Sequence, residues 1–187
     1  LLPIHIFQRR SAGHACQQAG DRVPHRARLQ IELPWHMAKR GPVGDERYSR
    51  FTEDELYTHM TFWCIYRSPL MIGGNLPENR EIERKLFTND EVLAVNQHGL
   101  QPRQLFKNEN AMAWYSRVPN SKDIYVALFN IGDKNQDVTV DFSAVGFKGD
   151  VSVRNLWKKQ MAGKYKNTYT TPINKHGAVL LRLTPSN

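Results

Sequence analysis

The stretch FTEDELYTHMTFWCIYRSPLMIGGNLPENREIERKLFTNDEVLAVNQH, residues 51–98, decides the fold of this 187-residue chain. Thr52 followed by Glu55 is a capping box, the pairing in which each residue bonds the other's backbone at a helix start. Apolar residues then recur at helical spacing through Cys64. This pattern predicts a helix over about 53–67.

The residues after this helix predict a strand and then a second helix. Pro69 cannot continue the helix, and the apolar run PLMI (69–72), closed by two glycines, is typical of a short strand buried on both faces. A helix is expected over about 78–87, and Asn89 should cap one more turn. The apolar residues expected to be buried by these helices are Ile82, Leu86, Phe87, Val92 and Val95, with the last turn ending near Asn96. Helix, buried strand and helix form one unit of an α/β architecture.

Downstream of His98 the pattern changes from helical to β-rich. Residues 101–109 read as a polar link, and five short β-rich runs follow: AMAWYSR, DIYVALFN, DVTVDF, VSVRNLW and GAVLLRLTP. Turn-forming sequences such as VPNSKD and IGDKNQ separate them. Strands at this spacing predict a small antiparallel β-sandwich, with a domain boundary near 100–104.

The basic charge is concentrated at the N-terminal end. Residues 1–50 carry nine Lys/Arg and four Asp/Glu, a net +5 of the total +8. This part has no sustained helical or strand period and lacks the aromatic interleaving of single-strand binders, so we do not expect nucleic-acid binding. No window approaches the roughly 20 apolar residues of a membrane span, and residues 1–8 lack the basic start of a secretory leader.

The two cysteines, Cys16 and Cys64, do not form a disulfide framework, and no Cys or His spacing matches a zinc site. Cys64 falls on the apolar face of the first predicted helix and is expected to be a buried, inert thiol. We therefore expect no cofactor and no metal.

Several polar groups invite a functional interpretation. Three adjacent carboxylates at 53–55 could suggest acid/base chemistry, but the first turn of a helix favours acidic side chains for electrostatic reasons. Gly73-Gly74 lacks the flanking residues of a phosphate-binding loop and is better explained as a tight strand exit. The histidines considered, which are too scattered in sequence to predict a site, are His36, His59, His98 and His176.

Six aromatic residues of the β-rich part could form a sugar-stacking strip. They are Trp114, Tyr115, Tyr125, Trp157, Tyr165 and Tyr169. Sandwich cores use the same residues, so the sequence leaves both interpretations open.

A series of motifs resembles a known family. Between 36 and 130 the chain contains AKRGPVGDERYSRFTEDE, MTFWCIYRSPLMIGGNLP, TNDEVLAVNQH and ALFN, and near its end NLWKK and HGAVLLRLTP. In this order they resemble the C-terminal portion of the melibiase-type α-galactosidases of glycoside hydrolase family twenty-seven. The resemblance implies that 36–102 is the last helix–strand–helix segment of a (β/α)8 TIM barrel, and 103–187 an antiparallel β-sandwich. Residues 1–35 are unmatched.

The resemblance also implies what this chain lacks. Retaining glycosidases use two carboxylates roughly 5 Å apart, and in this family both aspartates lie on earlier barrel strands, so we assign no catalytic residue here. The start LLPIHI (1–6) resembles the end of a sugar-binding motif, M-L-P-I-G-H-I, which His36 then resumes. We interpret 7–35 as an insertion, a retained intron or a frameshifted stretch, with a divergent loop as the alternative.

The sequence therefore predicts a truncated, catalytically incomplete portion of an α-galactosidase-type glycosidase. The intact enzyme would act on saccharides with terminal α-galactosyl residues and, by the resemblance, be secreted or periplasmic. Apolar barrel side chains without partners would favour self-association of the fragment. The alternative is a carbohydrate-binding or interaction module built on the sandwich, which exposed aromatics on one sheet face would support.

Overall fold

The computed structural model describes residues 48–72 and 76–186. In these residues three α-helices precede eight strands. The helices are α1 (Glu53–Tyr66), α2 (Glu81–Thr88) and α3 (Asp90–His98), with short 3-10 turns at Leu76–Glu78 and Ser143–Val145. The strands are β1 (Leu100–Lys107), β2 (Ala111–Arg117), β3 (Ile124–Asn130), β4 (Gln136–Asp141), β5 (Asp150–Asn155), β6 (Gln160–Lys166), β7 (Thr168–Ile173) and β8 (Ala178–Pro185). None of the helices in these ranges is long and apolar enough to cross a membrane.

The strands form two antiparallel sheets. Six of them pair in the order β1-β2-β3-β8-β5-β6, and β4 pairs with β7. Val126 and Leu128 of β3 pack with Val138 and Val140 of β4 in one apolar cluster. Since successive side chains of a strand point to opposite faces, this cluster is the core between the two sheets. The observed fold is a small β-sandwich with helices.

The helices cover the other face of the six-stranded sheet. Tyr125 and Phe129 of β3, which alternate with the residues of the first cluster, pack with Leu56 and Cys64 of α1 in a second apolar cluster. All seven residues of β3 are buried, because both faces of this strand are covered. The layers are therefore helices, six-stranded sheet and two-stranded sheet.

Helix α1 confirms the predicted capping box. The Thr52 N–H donates to Glu55 Oε2 at 2.9 Å, and the Glu55 N–H donates to Thr52 Oγ1 at 3.3 Å. At the other end Arg67 adopts a left-handed conformation (φ 59°), and the N–H groups of Arg67 and Ser68 bond to the carbonyls of Cys64 and Trp63. This is a common way to end a helix, and it stops α1 one residue before the predicted position.

The predicted buried strand at 69–72 is wrong. Residues 69–72 form no strand, and Met71 and Ile72 are 73% and 42% exposed. A strand needs a neighbour to bond its backbone, and no described strand pairs with this segment. The carbonyl of Pro69 instead accepts a hydrogen bond from Trp63 Nε1 at 3.3 Å. Gly73-Gly74 lies outside the described residues.

The second helical prediction is confirmed with shifted ends. Helix α2 begins at Glu81 rather than 78, because a 3-10 turn occupies Leu76–Glu78. Leu86 is fully buried, whereas Ile82 and Phe87 are half-buried. Asn89 Oδ1 accepts from the N–H groups of Glu91 and Val92 at 3.1 and 3.3 Å, so this residue does cap α3. Helix α3 continues to His98, two residues beyond the predicted end.

All five predicted strands are present, but the polar link predicted for 101–109 is wrong. These residues belong mainly to β1, which pairs with β2 through a register containing two irregularities. The sequence also failed to predict β6 and β7. The division proposed at 102–103 falls inside β1, and the division into 1–35, 36–102 and 103–187 stays a prediction.

Candidate functional site

Side-chain hydrogen bonds and a ring contact join the helices to the six-stranded sheet. Trp157, just after β5, donates from its indole Nε1 to Thr61 Oγ1 of α1 at 2.7 Å. The ring of Tyr57 meets the Trp157 ring edge-on, with centroids 4.8 Å apart. The edge-on ring pair and the hydrogen bond from the half-buried Trp157 to the fully buried Thr61 fix the position and the orientation of the indole.

The start of α3 provides the second half of this connection. Asn89 Nδ2 donates to the carbonyl of Leu156 at 3.0 Å while its oxygen caps the helix. Arg154 of β5 makes two hydrogen bonds to the Glu91 carboxylate, at 2.8 and 2.6 Å. We call Thr61, Asn89, Glu91, Arg154 and Trp157 the junction. It holds α1 and α3 in one geometry relative to the six-stranded sheet.

His176 is brought between two carboxylates from different elements. Its Nδ1 lies 3.3 Å from Glu55 Oε1, and its Nε2 lies 3.3 Å from Asp133 Oδ1. The Thr58 hydroxyl donates to the His176 carbonyl at 2.6 Å. Burial raises the pKa of Glu55, but hydrogen bonds from Thr52 and His176 outweigh it and hold that pKa below its usual range. These contacts tie the N-terminal end of α1 to the β3–β4 and β7–β8 turns.

The remaining sequence candidates are not brought together. Asp54 accepts a hydrogen bond from Asn174 Nδ2 at 3.3 Å. His59 is buried between the rings of Phe51 and Trp63, and burial lowers its pKa to about 4. His98 is exposed in the last turn of α3. His36 lies outside the described residues.

The aromatic residues do not form a sugar-stacking strip. Tyr115, Tyr165 and Tyr169 belong to the core between the sheets, whereas Trp114, Tyr125 and Trp157 belong to the cluster under the helices. Among the described residues the exposed aromatics are Tyr48 and Tyr66, and neither lies in a strand. The exposed aromatic face that would favour a binding module on the sandwich is therefore missing from the described part.

The described residues hold no cluster suited to a metal ion, and their one cysteine is enclosed. Within residues 48–72 and 76–186, no three His, Cys, Asp or Glu side chains are placed to hold a metal ion. Cys64 is a free, fully buried thiol, and burial raises its pKa to about 12. The prediction of a buried thiol at Cys64 is confirmed.

An open groove of about 610 Å³ lies between the β1–β2 turn and β4. Phe106 and the buried Val138 form its apolar side. Asn108, Glu109 and Asp137 supply polar groups.

Comparison with known proteins links this fold to a family. The alpha galactosidase C-terminal beta sandwich domain matches residues 109–183. Alpha-galactosidase D of Emericella nidulans is 27% identical over 136 residues, which is 71% of this chain and 20% of that protein. A family twenty-seven β-L-arabinopyranosidase from Geobacillus stearothermophilus is similar in structure, with a TM-score of 0.78 and 37% identity over 82% of this chain and 36% of that chain. Residues 109–183 thus belong to this C-terminal sandwich-domain family.

As a whole, the chain is similar to the C-terminal region of the melibiase-type enzymes of family twenty-seven. It is also similar in fold to the Saccharomyces cerevisiae α-galactosidase solved with raffinose, with a TM-score of 0.66 at 17% identity over 74% of this chain and 45% of that one. The chain thus spans less than half the length of each of these relatives.

Local sequence patterns do not reveal the junction. The sequence predicts Asn89 as a helix cap, but it does not indicate that the amide nitrogen of Asn89 donates to a carbonyl 67 residues away. Arg154 and Glu91 are separated by 63 residues, so no local pattern marks them as partners. The NLWKK motif, which contains Trp157, was the one available signal.

Proposed function

We propose that this chain supplies the end of a (β/α)8 barrel and the C-terminal sandwich of a retaining α-galactosidase-type glycosidase, with both catalytic aspartates outside the chain. One observation carries the proposal. The match to the Geobacillus arabinopyranosidase covers 82% of the chain, whereas the sandwich domain matches only 109–183. The structural similarity therefore continues from the sandwich into the helices.

Apolar side chains next to α1 and at the start of β1 are exposed, which supports the proposal that further barrel strands cover them in the intact enzyme. Tyr66, Met71, Ile72, Leu76 and Leu100 are all between 42% and 73% exposed. A closed barrel would give residues 69–72 two neighbouring strands and cover these side chains. The proposal thereby includes self-association of the isolated chain through this surface.

The chemistry assigns the chain a structural part in catalysis. Retaining hydrolysis needs a nucleophile and an acid/base carboxylate roughly 5 Å apart on one sugar. In barrel enzymes such groups lie at the C-terminal ends of the strands, and the helix after each strand begins at that face. The junction would hold the last helices of the barrel against the sandwich and so keep this face in register.

A chimera tests the proposal. The isolated chain is expected to give no detectable turnover of an aryl α-galactoside, a loss of several powers of ten, because the covalent route is absent. Residues 36–187 joined to the upstream barrel of the Geobacillus enzyme should hydrolyse the sugar that this barrel accepts. A folded but inactive chimera would contradict the proposal. So would activity of the isolated chain that disappears when an acid such as Asp45 is replaced.

A second candidate substrate is a β-L-arabinopyranoside. Identity to the arabinopyranosidase is 37%, compared with 27% for the Emericella α-galactosidase. β-L-arabinopyranose has the ring stereochemistry of α-D-galactopyranose without the C6 hydroxymethyl group, so one active site geometry serves either sugar. The ratio of kcat/KM for the two aryl glycosides, measured on the full-length enzyme, would decide between them.

The domain division forms part of the same proposal, and limited proteolysis tests it. A resistant product that begins near 100 would support an autonomous sandwich from about 103. A resistant product that begins near residue 48 would instead show that the helices and the sandwich form one folding unit. The apolar cluster that α1 shares with the six-stranded sheet is the contact that would protect the longer product.

A further inference from the structure

The groove beside β4 combines an apolar ring with exposed carboxylates. Phe106 of β1 is half-buried, and Val138 of β4 is buried beneath the groove. Glu109 and Asp137 are exposed and, within the described residues, neither side chain makes an ion pair or hydrogen bond with the protein. Their acceptor oxygens are thus available to a ligand.

The backbone around the groove is held in place by its own hydrogen bonds. Asn108 Oδ1 accepts from the N–H groups of Asn110 and Ala111 at 2.9 and 2.7 Å. The Asn110 carbonyl accepts from Gln136 Nε2 at 2.6 Å and from the Ile131 N–H at 2.8 Å. The β1–β2 turn and the start of β4 are therefore joined directly. A groove ordered before binding loses less conformational entropy when a ligand enters.

The mixture of groups fits a neutral saccharide. Hydroxyl groups of a sugar donate to carboxylates and accept from amide N–H groups, while the apolar face of the ring packs on an aromatic side chain. The two free carboxylates disfavour an anionic ligand such as a nucleic acid. We propose that this groove is an accessory saccharide-binding site, which takes a neutral oligosaccharide.

The position of the groove suits such a role. Asp133 contacts His176, which in turn contacts Glu55 in the first turn of α1. Gln136 lies three residues beyond Asp133, so the Cα atoms of these two residues are at most about 11 Å apart. If the proposed barrel is complete, the start of α1 marks its catalytic face. The inference rests on the proposed function at this point: the groove would hold the outer units of a saccharide bound at that face.

Saturation-transfer difference NMR of the 187-residue chain with raffinose tests the inference. This method observes the sugar and tolerates self-association of the protein. We expect a dissociation constant of about 1–10 mM, because the groove is open and keeps much of the ligand in water. Glu109→Ala combined with Asp137→Ala should weaken binding at least about tenfold, since charge-assisted hydrogen bonds are the strong ones. Asp150→Ala, an exposed carboxylate at the start of β5, is the matched control and should bind as the parent does.

Three results would overturn the inference. They are no saturation transfer up to about 50 mM raffinose, a range that covers weak sites, equal weakening by the Asp150→Ala control, and binding of a lysine-rich peptide to the groove without binding of raffinose. The test is independent of hydrolysis. An active chimera together with no raffinose binding by this chain would reject the saccharide site and leave the proposed function standing. Raffinose binding together with an inactive chimera would reject the proposed function and leave the saccharide site standing.

Discussion

Strand β8 and the segment at 69–72 have similar apolar sequences and opposite outcomes. In β8, Leu180 and Leu181 are completely buried, and the strand pairs on both sides, with β3 and with β5. In the segment at 69–72, Met71 and Ile72 are exposed and the backbone pairs with no described strand. The local sequence was apolar enough for a strand in both places.

An apolar run therefore becomes a strand only where adjacent strands bond its backbone. Strand stability comes from backbone pairing and from contacts with adjacent strands and layers, which the run itself does not contain. The exposed side chains at 71 and 72 therefore lie outside the packed core formed by the helices and the two sheets.

Truncating an apolar side chain to alanine should change the free energy of unfolding far more in β8 than in residues 69–72. Leu181→Ala is expected to lower the free energy of unfolding by about 2–5 kcal/mol, because it leaves a cavity between the sheets. Met71→Ala should change it by less than about 0.5 kcal/mol, as an exposed site does. Urea unfolding followed by circular dichroism measures both. A large loss for Met71→Ala would show that the segment is packed and would break the comparison.

The pH dependence of the free energy of unfolding tests whether His59 of α1 is buried in the packed core. His59 titrates at 6.5 when unfolded but stays neutral in the folded protein down to about 4, because burial lowers its pKa. The unfolded state binds more protons between these values, so the free energy of unfolding should fall as the pH drops through this window. The expected loss between pH 7 and pH 5 is about 2 kcal/mol.

The variant His59→Phe is the matched control for this loss, since it keeps an aromatic ring beside Phe51 and Trp63. Its stability should be nearly constant between the two pH values. An equal loss in the variant would show that another group is responsible and that His59 is not buried as described.

The junction should contribute a smaller, pairwise effect. A double-mutant cycle of Trp157→Phe and Thr61→Val removes the indole–hydroxyl bond and keeps the shapes similar. We expect a coupling free energy of about 1 kcal/mol, typical of one hydrogen bond between partly buried groups. Strictly additive effects would mean that α1 and the β5–β6 turn are not held together in solution.

The smallest effect is expected at the exposed edge of the junction. Lys159 pairs with Asp90, and both side chains are largely open to water. Lys159→Ala should leave the urea midpoint unchanged within error, because screening and side-chain entropy offset such pairs. Arg154→Ala should lower that midpoint, since Arg154 and Glu91 are more buried and bond through two nitrogens. Equal shifts for the two variants would remove the distinction.

The elements predicted from sequence were those whose signals are local. The capping box at Thr52 and Glu55 and the alternating run of β4 needed no distant partner to be recognised. Strand β6, QMAGKYK, was missed because it is a largely exposed edge strand with few apolar residues to signal it. The sequence of β1 predicts a link because Pro102 and its charged neighbours are unusual in a strand, although edge strands tolerate them.

For the candidate site residues, too, features with a local sequence signal could be predicted, and contacts between distant residues could not. The burial of Cys64 could be predicted from helical spacing alone. The approach of His176 to Glu55 could not, because the two residues are far apart in sequence and meet only through the packing of α1 on the sheet. The groove could not be predicted from the sequence for the same reason, since its lining comes from β1, the following turn and β4.

The buried thiol of Cys64 can report how often the helical layer opens. A thiol that is fully enclosed and has a pKa of about 12 cannot react with a maleimide while α1 stays on the sheet. Its labelling rate would therefore count openings of this layer, once Cys16 is replaced by serine to leave a single reporter. Slower labelling in the chimera with the Geobacillus barrel would show how far the proposed barrel strands stabilise these helices.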